Sequence, residues 1–177
     1  VMPPLRAARP RAELMVVGAY PTPEVEMLCR EPGIRLLGMV PEIRDVLARF
    51  ALFLAPIFSG AGVRVKILEA FAAGIPVIST PLGAEGLGLL HGRELLLARD
   101  APDFVSAIIE LLEHPDRAEA LARRARQSVE QRWDANVVLG RLEQAYRDLL
   151  RDRRPAATER PSLAAVSSPA SGMRHAE

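Results

Sequence analysis

The stretch Ala51–Thr80, ALFLAPIFSGAGVRVKILEAFAAGIPVIST, limits the possible folds more than any other part of the chain. It holds two unbroken apolar runs, Ala51–Ile57 and Ile75–Ser79, of the kind found in parallel strands covered on both faces. Between them lie a short turn, Ser59-Gly60-Ala61-Gly62, and helix formers from about Val63 to Ala73 that Gly74 and Pro76 bring to a stop. The pattern predicts a strand–helix–strand crossover. In open sheets built from such units, ligands sit beyond the carboxyl ends of the strands, so this turn and the helix start mark the expected functional edge.

Similar signals extend the pattern to both sides. Upstream, Glu13–Gly18 and Ile34–Val40 read as buried strands, and Glu24–Arg30 and Glu42–Phe50 as helices. Residues 1–12, with Pro3, Pro4 and Pro10, read as a helix remnant and loop. Downstream come a glycine-rich loop from Pro81, an edge strand at Glu94–Ala98, and helices at about 100–113, 117–132 and 136–152. The last of these draws on Val137, Leu142, Tyr146 and Leu149. The alternation predicts an α/β domain over 1–152, with a doubly wound parallel sheet and C-terminal helices. Residues 153–177 are Pro, Ala, Ser and Arg without periodicity and are expected to be a disordered tail.

Composition excludes several classes. A net charge of +1 with only 5% aromatic residues argues against a nucleic-acid partner. The single cysteine, Cys29, rules out an intrachain disulfide and fits a reducing compartment. No apolar run reaches the roughly 20 residues of a membrane span. The expected location is the cytoplasm, with a peripheral place at the inner face of the plasma membrane as the alternative. A first residue of Val, followed by what reads as a helix end, suggests a fragment whose upstream part is missing.

The turn ahead of the central helix suits a phosphate, because exposed N–H groups and the helix dipole both favour an anion there. Gly60-Ala61-Gly62 lacks the third glycine of a dinucleotide fingerprint and the Gly-Lys-Ser/Thr of a P-loop. The polar residues of the helix add to the signal. Gly62, Lys66, Glu69 and Ala73 fall on one stripe, and Arg64 stands in the first turn. Two cations at a helix N-terminus oppose the dipole unless an anion lies in front of them. Lys66 is also the only lysine beside 22 arginines. The plain alternative is a surface Lys66–Glu69 ion pair with no further role.

The segment GAGVRVKILEAFAAGIPVISTPLGAEGL resembles the donor-binding signature of the GT-B glycosyltransferases of family 4, also called group 1. The resemblance runs from about Val1 to Leu150 and includes VVGAY, GMVPEIRDVL and LLEHPDRAEALARRARQSVEQRW. It implies the C-terminal half of a GT-B fold, Rossmann-like, with the first strand of that half and the N-terminal acceptor domain missing. It also implies a retaining glycosyl transfer from a nucleotide-diphosphate sugar. Glu69 would hold the ribose hydroxyls, Gly60, Ala61, Gly62, Arg64 and Lys66 would face the diphosphate, and Val40 and Pro41 would border the nucleobase. No metal or other cofactor is implied, because cationic side chains and the helix N-terminus would stabilise the leaving diphosphate. Membrane association would have to run through the absent part.

Many family members carry a second glutamate at the position of Ala61, which leaves the contact to the donor sugar open. No individual catalytic residue is singled out, and a chain of this extent alone is expected to be inactive. A non-catalytic nucleotide- or phosphosugar-binding module of the same fold is the alternative. A receiver domain is disfavoured because Gly18-Ala19-Tyr20 offers no acidic residue. Glu85, His91, His114 and Trp133 read as structural.

Overall fold

The structure, a computed structural model, describes residues 1–152; the expected tail at 153–177 lies outside the described residues. The chain divides into two compact units, Val1–Val138 and a second that begins at Leu139. The first unit alternates α1 (Met2–Ala8), β1 (Leu14–Val17), α2 (Pro23–Leu28), β2 (Ile34–Gly38), α3 (Ile43–Leu47), β3 (Phe53–Ala55), α4 (Val65–Ala72) and β4 (Val77–Ser79). It continues with α5 (Pro81–Ala84), β5 (Leu96–Leu97), α6 (Ala101–Glu113) and α7 (Pro115–Arg132). All strand pairings are parallel, as the continuous apolar runs predict.

The expected single sheet is instead two. β1 pairs with β2, and β3–β4–β5 form a second sheet, with no ladder between β1 and β3. The strands are also shorter than the apolar runs. Pro76 lacks the N–H that would extend the ladder ahead of Phe53, and the Ile57 amide turns back to the Ala55 carbonyl at 2.9 Å, so the β3–β4 ladder is confined to Phe53–Ala55 against Val77–Ser79. Pro3 and Pro4, expected to limit order at the N-terminus, fall in the first turn of α1, where N–H groups have no helical partner in any case. α5 was hidden by the glycine content of its loop. Thr80 caps it by accepting from the Gly83 amide at 3.1 Å, and Pro81 opens it.

Helices cover both faces of the strands. One core gathers Met2 and Leu5 of α1, Phe104, Ile108 and Leu111 of α6, and Ile34, Ile78 and Leu96. The other holds Ile67, Ala70 and Phe71 of α4 and Ala125 of α7 with Ala55, Val77 and Leu95. α4 therefore has a buried face and an exposed one, which carries Val65, Lys66 and Glu69. Cys29 packs against the first core and Trp133 against the second.

The last helix, α8 (Ala135–Asp152), keeps its predicted extent. Of its apolar residues Val137 is half-buried, but most are not inward. Leu139, Leu142, Tyr146, Leu149 and Leu150 are all exposed. Among the described residues no helix is long and apolar enough to cross a membrane.

Phe71 is fully buried and sits between α4 and the strands. Phe71→Ala should lower unfolding free energy by about 3–5 kcal/mol through lost burial and a cavity. Urea unfolding would measure it, and a loss under about 1 kcal/mol would mean that this core can collapse around the gap.

Candidate functional site

The β3–β4 pair sets the position of the turn. Beyond Ala55 the chain passes Ile57, whose carbonyl accepts from the Thr80 hydroxyl at the end of β4. Ser79, fully buried, donates to the Ala55 carbonyl at 3.3 Å and the Thr80 carbonyl at 3.1 Å. The segment from Phe58 onward thus leaves the sheet from a fixed point. Gly60 and Gly62 then take φ of +107° and +92°, which L side chains rarely adopt, and reverse the chain into α4.

Helix α4 starts at Val65, two residues later than the propensities suggest, because Gly62 at positive φ and Arg64 at ψ 72° are not helical. The delay lengthens the exposed turn. The backbone N–H groups from Gly60 to Arg64 have no acceptor among the described residues.

Arg64 folds back on the turn. Its Nη2 donates to the Gly60 carbonyl at 2.8 Å and its Nη1 to the Ala61 carbonyl at 3.0 Å. Because C=O and N–H of a trans peptide point in opposite directions, holding these two carbonyls turns the N–H groups of Ala61 and Gly62 the other way. The Arg64 guanidinium is therefore engaged with its own turn rather than standing open in front of it.

Lys66 and Glu69 sit on the exposed side of α4, as their spacing predicts. No ion pair joins them in this structure. One charge outside α4 was not foreseen. Arg44 of α3 has its pKa raised, chiefly by hydrogen bonding to Glu42 and with a smaller contribution from the Glu69 carboxylate. α3 thus stands within electrostatic reach of α4. Val40, half-buried, and Pro41, exposed, form the link from β2 to α3. Arg44 and Glu42 gave no sequence signal beyond ordinary helix-surface charges.

The weaker candidates lie elsewhere along the chain. Glu85 is exposed at the end of α5. His91 is exposed, but its Nδ1 accepts from the Leu97 amide at 2.9 Å, so it braces β5. His114 joins α6 to α7. A cavity of about 440 Å³ lies against β5 and α6, lined by His91, Arg99, Asp103 and Glu110 among others, and none of the expected donor-site residues lines it. Among the described residues no group of three or more His, Cys, Asp or Glu is arranged to hold a metal ion.

Glu42 offers a direct check on the α3 side. The Arg44 backbone N–H, first, and its guanidinium, second, hold the Glu42 carboxyl below its ordinary value. Its contribution to stability is present above the unfolded-state pKa and is lost as pH falls through the lower folded-state value. An NMR titration of Arg44→Ala should raise the Glu42 pKa only part of the way, since the backbone bond survives. An unmoved titration would show that the guanidinium does not act on it.

The family model described as glycosyl transferases group 1 matches residues 1–114. N-acetyl-alpha-D-glucosaminyl L-malate synthase of Bacillus anthracis is 28% identical over 148 residues, which is 80% of this chain and 39% of that protein. The chain spans well under half the length of the curated relatives it matches. Among solved structures, Anabaena HepE in complex with UDP and glucose aligns over 83% of this chain and 42% of its own, with a TM-score of 0.67 and 22% identity. The C-terminal domain of the group 1 glycosyl transferase LpcC of Francisella tularensis aligns over 75% of this chain and 92% of its own, with a TM-score of 0.57 and 12% identity. These likenesses show the parallel α/β fold of the GT-B glycosyltransferases. With the family match covering the strands, the glycine turn and α4 together, the chain belongs to the glycosyl transferases of group 1.

Proposed function

We propose that this chain is the nucleotide-sugar-binding part of a retaining glycosyltransferase, which moves a sugar from a nucleotide-diphosphate donor to a glycan, lipid or other acceptor. The carrying observation is the run of N–H groups from Gly60 to Arg64 without acceptors among the described residues, beside Lys66 and Glu69, whose side chains pair with none of them. Five backbone donors at the mouth of a helix suit the oxygens of a diphosphate. The Lys66 ammonium adds a point charge at the same end. Glu69, one turn further along, would accept hydrogen bonds from the ribose hydroxyls, and Val40 and Pro41 would flank the base. HepE, a relative by fold, was crystallised with UDP and glucose, which is consistent with this reading.

Chemically, the site would bind and orient the donor and stabilise charge on the departing diphosphate. The backbone donors, the α4 dipole and Lys66 act on oxygens whose negative charge grows as the glycosidic bond breaks, and no metal is required in this scheme. Arg64 would contribute by holding the turn. The acceptor-binding domain and the rest of the cleft would come from a longer polypeptide, so the 177-residue chain should bind a donor without turning it over.

Ala61 favours a second reading. Lacking the carboxylate that many relatives have there, the turn has one contact fewer for a donor sugar, as a non-catalytic nucleotide- or phosphosugar-binding module would. Calorimetry with UDP, GDP and ADP on the 177-residue chain tests binding. Glu69→Ala and Lys66→Met should each weaken the preferred diphosphate about tenfold, roughly 1.4 kcal/mol. An unchanged Kd in Glu69→Ala would remove that residue from the site. Sugar transfer by the longer polypeptide separates the enzyme from the module.

A further inference from the structure

Among the described residues the two most exposed large apolar side chains are Tyr20, at 91%, and Met39, at 74%. Both lie just past the carboxyl ends of adjacent strands. β1 and β2 end level, with Val17 opposite Gly38 and the Gly18 amide donating to the Gly38 carbonyl at 3.0 Å. Met39 follows Gly38 directly, and Tyr20 stands two residues past Gly18. The link that leaves β3 likewise exposes Phe58 and Val63. Of the links that lead into a strand, only the long one before β5 exposes a large apolar side chain, Leu90. Apolar exposure therefore gathers at the carboxyl ends of the strands, where open parallel sheets take their ligands.

Tyr20 is also the one non-glycine residue at positive φ among those described, at +53°. Glycine holds this left-handed conformation without strain and asparagine with little, whereas a bulky side chain crowds its own backbone. Pro21 follows directly, and a proline biases the residue before it towards extended backbone, so the local sequence works against the observed turn. Packing gives no reason for the ring either, because it is almost wholly exposed. An aromatic ring that neither the turn nor the core requires, held in a strained conformation, points to a use outside the chain.

Helix α3 connects this corner with the glycine turn. It begins just past Met39, Val40 and Pro41, and its Arg44 feels the charge of Glu69 on α4. The turn offers N–H groups to an anion, and the exits of β1 and β2 offer an aromatic ring and a thioether to a planar, weakly polar group. A nucleotide carries both kinds of group in one molecule. Its base has two π faces, which stack on an aromatic ring and contact a methionine sulfur without any matching polar pattern. We infer that Tyr20 is the aromatic wall of the nucleobase site, its ring stacked on the base, with Met39 beside it at the exit of the neighbouring strand. The inference rests on the nucleotide-sugar reading and adds to it a side chain that holds the base by stacking. Because every base has a π face, Tyr20 supplies affinity without choosing among bases.

Calorimetry on the 177-residue chain tests this by comparing UDP, GDP and ADP with inorganic pyrophosphate, which has no base. Tyr20→Ala should weaken each nucleoside diphosphate that binds by about tenfold, leaving their order and the pyrophosphate Kd unchanged, while Tyr20→Phe stays within about twofold of the parent. Met39→Ala should cost less, about threefold. Tyr20→Gly should bind as weakly as Tyr20→Ala with a Tm no lower than the parent's, because glycine relieves the left-handed backbone. An equal loss for pyrophosphate, or a lower Tm in Tyr20→Gly, would show that the ring orders its own loop, and overturns the inference. Where pyrophosphate binds too weakly to compare, NMR decides: the Tyr20 ring protons should move upfield as nucleoside diphosphate is added, and unmoved signals overturn the stack. A parent that binds a nucleoside diphosphate no better than Tyr20→Ala does sinks the stack alone. A parent that binds none of the three sinks the nucleotide-sugar reading, and the stack falls with it.

Discussion

The pairing of Phe53, Leu54 and Ala55 with Val77, Ile78 and Ser79 is the constraint on which the remaining features of the carboxyl edge depend. β4 is buried on both faces, under α6 on one side and α4 on the other, so its hydroxyls must find partners inside the protein. Ser79 and Thr80 find them in the carbonyls of Ala55 and Ile57, across the pair. These bonds extend the connection between β3 and β4 past the last ladder residue, into the point where the turn begins. The Thr80 hydroxyl, by accepting from the Gly83 amide as well, makes the β4–α5 turn and the β3–α4 turn parts of one assembly. Gly83 itself leaves no room for a Cβ, which would run into the Ser79 hydroxyl. A satisfied polar network, rather than apolar burial alone, therefore positions the glycine turn.

The features legible in the sequence were those with strong local causes. Continuous apolar runs identified the parallel strands, and Gly60 and Gly62 marked a turn that does need positive φ. The spacing of Lys66 and Glu69 placed both on the exposed side of α4. What stayed hidden was set by pairing or by long-range charge. Nothing local says that β1 and β3 lack a common ladder, since strand neighbours are a property of topology and not of composition. The short helix α5 was masked by its glycines, although Thr80-Pro81 was a sound start signal. Arg44 could not be tied to Glu69 from a sequence separation of this size. The apolar residues of α8 had the right period for burial, but period alone does not provide a partner, and they are exposed.

Electrostatics at the start of α4 resolve what looked like a conflict in the sequence. Arg64 and Lys66 together put two positive charges where the helix dipole is already positive. The structure separates their tasks. The Arg64 guanidinium lies on the carbonyl oxygens of Gly60 and Ala61, so part of its charge is met by the negative ends of its own turn. That contact orients the peptides so that their N–H groups face the opposite way. Among the described residues, neither Lys66 nor Glu69 has a side-chain hydrogen bond or ion pair. A folded chain would ordinarily gain a few tenths of a kcal/mol by pairing a lysine and a glutamate three residues apart on a helix. Here the pair is left unmade beside a row of free backbone donors. Arg64 thus holds the shape of the turn, while Lys66 and Glu69 stand exposed along α4. That division of labour accounts for a cation pair that neither helix propensity nor surface pairing explains.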